Sequence, residues 1–124
     1  MRIKVYFDGG CRPNPGRMEL AVVIRGQAHV RLDAGFGTSQ DAEWLALIEA
    51  ARLIRGLAIS DFVILGDALA VIGPATGAVK CRRSAIAHLR VLDDLLPLRD
   101  RSNIRYIKRA QNLAGIALAN LPGR

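Results

Sequence analysis

The run Tyr6-Phe7-Asp8-Gly9-Gly10-Cys11-Arg12-Pro13-Asn14-Pro15-Gly16 constrains this chain more than any other stretch. It follows Met1-Arg2-Ile3-Lys4-Val5, whose alternation reads as a strand, with Asp8 where that strand should end. Glycines, prolines and an asparagine then turn the backbone tightly. A carboxylate at a strand end, followed by backbone that a ligand can approach closely, suits a metal or a phosphate. Asp8-Gly9-Gly10 alone is equally compatible with the start of a hairpin turn, since Asp and Gly are common turn residues.

The period of the apolar residues sets the rest. Residues 19–25 contain the β-rich run Ala21-Val22-Val23-Ile24, Gly26-Gln27 reads as a tight connection, and 28–34 alternates again. Three strands joined this way form an antiparallel meander. The period then lengthens. Thr38, Ser39 and Asp41 offer N-terminal caps, and a helix is expected over 41–55 with Gly56 as its stop. One face of it carries Glu43, Ala46, Leu47, Ala50 and Ile54. A charge heading an apolar stripe costs several kcal/mol of desolvation unless it is compensated; Glu43 is either compensated or exposed in the first turn.

A buried strand over 61–66 leads directly to Asp67. A short helix over 68–72 is expected to break at Gly73-Pro74, leaving a flexible connection to residue 79. A helix over 84–96 ends at Pro97, a strand spans 104–108, and Asn112 caps a last helix over 113–121 interrupted at Gly115. Strands alternating with helices imply parallel pairing with right-handed crossovers. The expected fold is α/β: a mixed five-stranded sheet, an antiparallel meander plus two parallel strands, flanked by helices. Asp8 and Asp67 then sit at strand ends, where open α/β sheets place their sites.

The 124 residues fit one domain, residues 1–124, and the 51% hydrophobic content argues for a packed core. No apolar run approaches the roughly 20 residues of a membrane span, and there is no signal-peptide pattern. Cys11 and Cys81 fit no metal spacing, so a reducing cytoplasm is the expected setting. The net charge of +7 favours a polyanion partner or keeps an apolar protein soluble. Clustering favours the former: Lys80, Arg82 and Arg83 follow a loop, and Arg99, Arg101, Arg105, Lys108 and Arg109 crowd a second stretch. His29 and His88 read as ordinary surface residues.

Four stretches in order resemble type 1 ribonuclease H domains. Asp8-Gly9-Gly10 with Asn14-Pro15-Gly16 resembles their opening. Thr38-Ser39-Gln40-Asp41-Ala42-Glu43-Trp44-Leu45-Ala46-Leu47 is similar to their Thr-Asn-Asn-x-Ala-Glu-Tyr-x-Ala-Leu helix start. Gly66-Asp67-Ala68-Leu69-Ala70-Val71 resembles the Asp-Ser-x-x-Val element, and Arg109-Ala110-Gln111-Asn112 with Leu118-Ala119-Asn120 the closing helix. The resemblance implies magnesium-dependent cleavage of the RNA strand of RNA–DNA hybrids at a two-metal site, with manganese as a substitute. It implies that Asp8, Glu43 and Asp67 are the catalytic metal ligands. Gly9, Gly10, Cys11 and Arg12 would offer backbone groups to the RNA 2′-hydroxyls, and Thr38 and Gln40 would hold a phosphate of the DNA strand, with Ser39 and Gln40 replacing the family's usual asparagines and altering the groove contacts there. Lys80, Arg82, Arg83 and Arg109 would complete the nucleic-acid surface. Ile116 stands where the family carries a fourth catalytic Asp, and isoleucine cannot bind magnesium. Two functions therefore remain: an endonuclease with an incomplete carboxylate set, and a binding module for hybrid or A-form duplexes. An α/β domain unrelated to nucleic acid is the third, and four motif matches in order weigh against it.

Overall fold

A computed structural model of the chain describes residues 2–122. Met1, the first residue of the expected opening strand, lies outside the described residues. The strands are β1 (Ile3–Cys11), β2 (Gly16–Ile24), β3 (Gln27–Arg31), β4 (Phe36–Gly37), β5 (Phe62–Gly66) and β6 (Ile104–Tyr106). The helices are α1 (Ser39–Gly56), α2 (Leu69–Thr76), α3 (Ile86–Leu95), α4 (Leu98–Arg101) and α5 (Leu113–Ala119). The main sheet runs β3-β2-β1-β5-β6, antiparallel through β3, β2 and β1 and parallel from β1 to β5 and β6. This is the expected mixed sheet, with one addition: the two-residue β4 pairs with the start of β2 and makes a sixth strand.

The first strand differs from expectation in a way that matters. β1 does not end at Asp8. It continues through Gly9 and Gly10 to Cys11, because β2 pairs with it as far as Cys11↔Met18. On its other side the last pairing is Tyr6↔Leu65. Asp8 is thus mid-strand, but it lies just beyond the end of its parallel neighbour. The turn falls on residues 12–15 instead. The β2–β3 connection is Arg25-Gly26, not Gly26-Gln27; both residues have positive φ (53° and 74°), the conformation a two-residue type I′ hairpin requires.

α1 and α2 are longer than their sequence breakers imply, whereas α3 and α5 are shorter than the expected 84–96 and 113–121. α1 begins two residues earlier than expected because Thr38 is its N-cap: the hydroxyl accepts from the Asp41 N–H and the Asp41 carboxylate accepts from the Thr38 N–H. Gly56 is its last helical residue, and Ala58 takes the positive φ. α2 runs through Gly73-Pro74, since a proline costs this short helix only one interior hydrogen bond, and stops at Gly77 in the left-handed conformation. A 3-10 turn over Arg83–Ala85 precedes α3, α4 forms after Pro97, β6 is shorter than expected, and Gly115 does not interrupt α5.

Alternation along β1 and β2 separates two packing layers. Val5, Phe7, Leu20, Val22 and Ile24 face α1, with Trp44, Leu47, Ala50 and Ile54, in the main core. Ala21 and Val23 face Ala114 and Leu118 of α5 on the opposite side. Close approach here needs glycine: a Cβ on Gly9 would overlap the Ala42 carbonyl, and one on Gly66 would overlap the Phe7 ring.

Two residues read as surface charge are structural. Arg101 is buried: its guanidinium donates to the carbonyls of Ala75 (2.7 Å) and Leu96 (2.8 Å) and to Asp93 (2.7 Å). It clamps α2, α3 and α4 and is not part of a polyanion surface. His88 is also no ordinary surface residue. Its Nε2 lies 3.0 Å from the Asp41 carboxylate, and its ring stacks on Trp44 with centroids 6.1 Å apart. Burial pushes the Asp41 carboxyl up, but hydrogen bonds from the Thr38 N–H, His88 and the Thr38 hydroxyl outweigh that push and hold it below its usual value.

Arg101→Met should cost about 2–4 kcal/mol in chemical denaturation, because the Ala75 and Leu96 carbonyls lose their donors while Asp93 stays solvated. A loss below about 1 kcal/mol would mean the clamp is not needed.

Candidate active site

Beyond Tyr6 the edge of β1 that faces β5 has no strand partner, and a cavity of about 550 Å³ opens there. Asp8 of β1, Glu43 of the first turns of α1 and Asp67 just after β5 all line it. Of the other expected site residues, Gly9, Gly10, Cys11, Arg12, Ser39, Arg109 and Ile116 line the same cavity. Thr38 does not; its hydroxyl is committed to capping α1. Gln40 lies apart with Trp44, Lys80 and Arg82 around a smaller cavity of about 160 Å³. Lys80, Arg82 and Arg83 border a further hollow with Cys81 and Ile86. The expected residues thus divide into an acidic cavity and a basic ridge before α3.

Asn112 holds the acidic cavity together. It is fully buried. Its amide donates to the Phe7 carbonyl (3.0 Å) and to Asp67 (3.2 Å), and its oxygen accepts from Ala114 N–H (3.1 Å) to cap α5. It supplies the hydrogen bond that β5, having ended, does not give Phe7. Arg109, exposed, reaches Asp67 at 3.4 Å. Ser39 is fixed by Asn14, which accepts from its N–H (3.1 Å) and donates to its hydroxyl (2.9 Å), so the 12–15 turn and the start of α1 are tied.

Burial pushes the Asp8 carboxyl up to about 7; the neighbouring charge of Asp67 and a hydrogen bond with it add to this, against the opposing pull of Arg109 and the Gly9 N–H. Burial likewise pushes Glu43 up to about 7, with Asp8 and Asp67 contributing. Carboxylates crowded in this way, only partly balanced by the Arg109 guanidinium, are a donor set for a hard cation. Their placement and hard-oxygen chemistry fit a divalent ion. They do not stand as a ready-made cluster: among the described residues no group of three or more His, Cys, Asp or Glu is poised to hold a metal. Asp8 and Asp67 share a hydrogen bond, and Glu43 stands off.

Ile116 lines the cavity half-exposed, one residue after Gly115, where an added Cβ would lie 3.4 Å from an Asp8 oxygen. Two residues shape the site without having been expected in it. Asn112 is legible in the sequence as a helix cap and as part of the closing-helix motif, not as the buried partner of Asp67. Glu19 shows as the edge of an apolar run, and only its β2 register, opposite Gly10, reveals that it faces the acids.

Comparison with known proteins agrees with this geometry. A family model described as reverse transcriptase-like matches residues 6–121. A curated ribonuclease HI of Halobacterium salinarum is 31% identical over 125 residues, which cover 96% of this chain and 63% of that protein. The chain thus spans less than two thirds of that relative's length. The crystal structure of RNase H1 from the same halophilic archaeon superposes with a TM-score of 0.80 at 25% identity, over 95% of this chain and 94% of that one. An RNase H1 solved in complex with an RNA/DNA hybrid gives a TM-score of 0.77 at 22% identity, covering 90% of this chain and 88% of that one, a likeness of fold.

The raised carboxyls have a measurable consequence in the metal-free protein. Ordinary Asp and Glu lose their protons near pH 4 in the unfolded chain, whereas Asp8 and Glu43 keep theirs to about 7 when folded. Folded molecules therefore bind more protons between these values, and stability should fall by a few kcal/mol as pH rises from about 4 to above 7. Asp41 acts oppositely, but only below about pH 4. Asp8→Asn should be increasingly stabilising, relative to wild type, from pH 5 to pH 8 in chelator. Parallel urea-denaturation curves for the two proteins across that range would contradict the assignment.

Proposed function

We propose, from the premise that the chain belongs to the reverse transcriptase-like family, that it hydrolyses the RNA strand of RNA–DNA hybrids with a divalent cation. The observation that carries the proposal is the convergence of Asp8, Glu43 and Asp67, from three separate elements, on one cavity beside the unpaired edge of β1. Support comes also from the similarity to ribonuclease HI and from the fold shared with an RNase H1 bound to a hybrid.

Asp8, Glu43 and Asp67 would hold the cation, magnesium or manganese. Bound there, it would supply polarisation of the scissile phosphate and charge neutralisation at the leaving oxygen. The protein's own groups do the rest. The backbone of Gly9, Gly10 and Cys11, on the open edge of β1, meets the RNA strand, where a 2′-hydroxyl distinguishes RNA from DNA. Arg12 and Arg109 at the rim attract phosphates, and Asn112 fixes Asp67 through its amide. Ser39 and Gln40 flank the groove at the start of α1. Lys80, Arg82 and Arg83 sit on the basic ridge and track the backbone of a hybrid or similar A-form duplex.

Ile116 favours a second function, a binding module that holds hybrids without efficient cleavage, since this cavity-lining position lacks an oxygen donor. A cleavage assay on a labelled hybrid separates the two. The wild type should cut the RNA strand with magnesium or manganese, and Asp8→Asn should reduce this by at least about 10²-fold, as for loss of a main electrostatic group. Hybrid binding without any cutting would favour the module. Replacing Lys80, Arg82 and Arg83 by Ala should weaken binding and lower the slope of log affinity against log salt by roughly one for each phosphate no longer neutralised. Affinity independent of salt would exclude a nucleic-acid role.

A further inference from the structure

A fourth acid faces the cavity. Glu19 of β2 is 8% exposed and lines the same cavity as Asp8, Glu43, Asp67 and Ile116. The register fixes its direction. Asp8 pairs with Ala21 and Gly10 with Glu19, so Asp8, Gly10, Ala21 and Glu19 share one face of the sheet. That is the α5 face, as the packing of Ala21 against Ala114 and Leu118 shows. Glu19 is therefore the diagonal cross-strand neighbour of Asp8, a relation within reach of a long side chain. Gly10 between them carries no side chain, and a Cβ built there would meet nothing within 4 Å. The space between the two acids is open. Arg12, at 3.9 Å and largely exposed, lies on the solvent side of Glu19.

A buried acid incurs a desolvation cost, and the next positions on the same face of β2, Ala21 and Val23, are apolar. Glu19 also stands across the cavity from α5, the helix that carries Ile116. We propose that Glu19 is the fourth oxygen ligand of the divalent-cation site, supplied from β2 in place of the carboxylate that Ile116 cannot provide. This rests on the function proposed above. It accounts for an apolar residue at position 116: the ligand has moved to another element, and a further carboxylate, placed on α5, would add repulsion.

The test measures manganese binding calorimetrically without nucleic acid, alongside hybrid cleavage, in wild type, Glu19→Gln, Ile116→Asp, the double variant and Asp8→Asn. Glu19→Gln keeps the shape and a hydrogen-bonding head. It should weaken manganese binding by more than roughly 100-fold, the upper end of what losing a mere supporting partner costs, and slow cleavage in parallel. Ile116→Asp should add little to the wild type but restore binding to Glu19→Gln, a coupling that a structural role for Glu19 would not produce. Metal-free thermal melts of each variant separate loss of folding from loss of a ligand. If Asp8→Asn loses manganese while Glu19→Gln binds it as wild type does, Glu19 is not a ligand and the proposed function stands. If wild type binds no manganese and cuts no hybrid, both proposals fall.

Discussion

The side chain of Asn112 is the joint on which the cavity depends. Three bonds radiate from it, to the backbone of β1, to the carboxylate after β5 and to the first turn of α5. No water reaches it, so each bond has the strength of a low-dielectric setting and each would leave an unsatisfied partner if broken. β5 stops where β1 continues, and the sheet would otherwise have an unmet carbonyl at Phe7. Asn112 meets it and at the same time sets α5 against the α5 face of the sheet. The end of a strand, the start of a helix and the orientation of an acid are therefore one decision.

Around that joint the protein sets favourable packing against unfavourable charge. The α1 side of the sheet is a tightly packed core, with Phe7 under Gly66 and the α1 backbone on Gly9. The α5 side is thinner and carries Asp8 and Glu19, while Glu43 reaches the cavity from α1 and Asp67 from the end of β5. Burial and neighbouring negative charge oppose ionisation of Asp8 and Glu43, and the cation proposed above would relieve both. A site that is poor in isolation and good when loaded couples ligand binding to folded stability.

Much of this was legible in the sequence, and the rest was hidden for identifiable reasons. Asp8, Glu43 and Asp67 could be picked out because each stands at a change of period. Gly73-Pro74 and Gly115 misled as breakers, because packing on both flanks outweighs the local propensity. The length of β1 was unreadable, since Gly9, which looks like part of a turn, is needed there for contact with α1. Thr38, read both as a cap and as a ligand contact, caps α1; Arg101 looked like surface charge and is a buried clamp. Glu19 could not be found without the pairing register, because only the register reveals which face an acid on a buried strand occupies.

The alternation of β1 interleaves two kinds of constraint at single-residue spacing. Val5, Phe7 and Gly9 belong to the core, and Tyr6, Asp8 and Gly10 to the opposite layer. Neighbouring codons thus answer to different selection: one set to the volume left by α1, the other to charge and to the space above the sheet. An insertion or deletion of one residue anywhere in this strand would exchange the two sets at once, moving the carboxylate into the core and an aromatic ring into the cavity. A change this stretch can absorb is therefore a replacement in place, never a change of length.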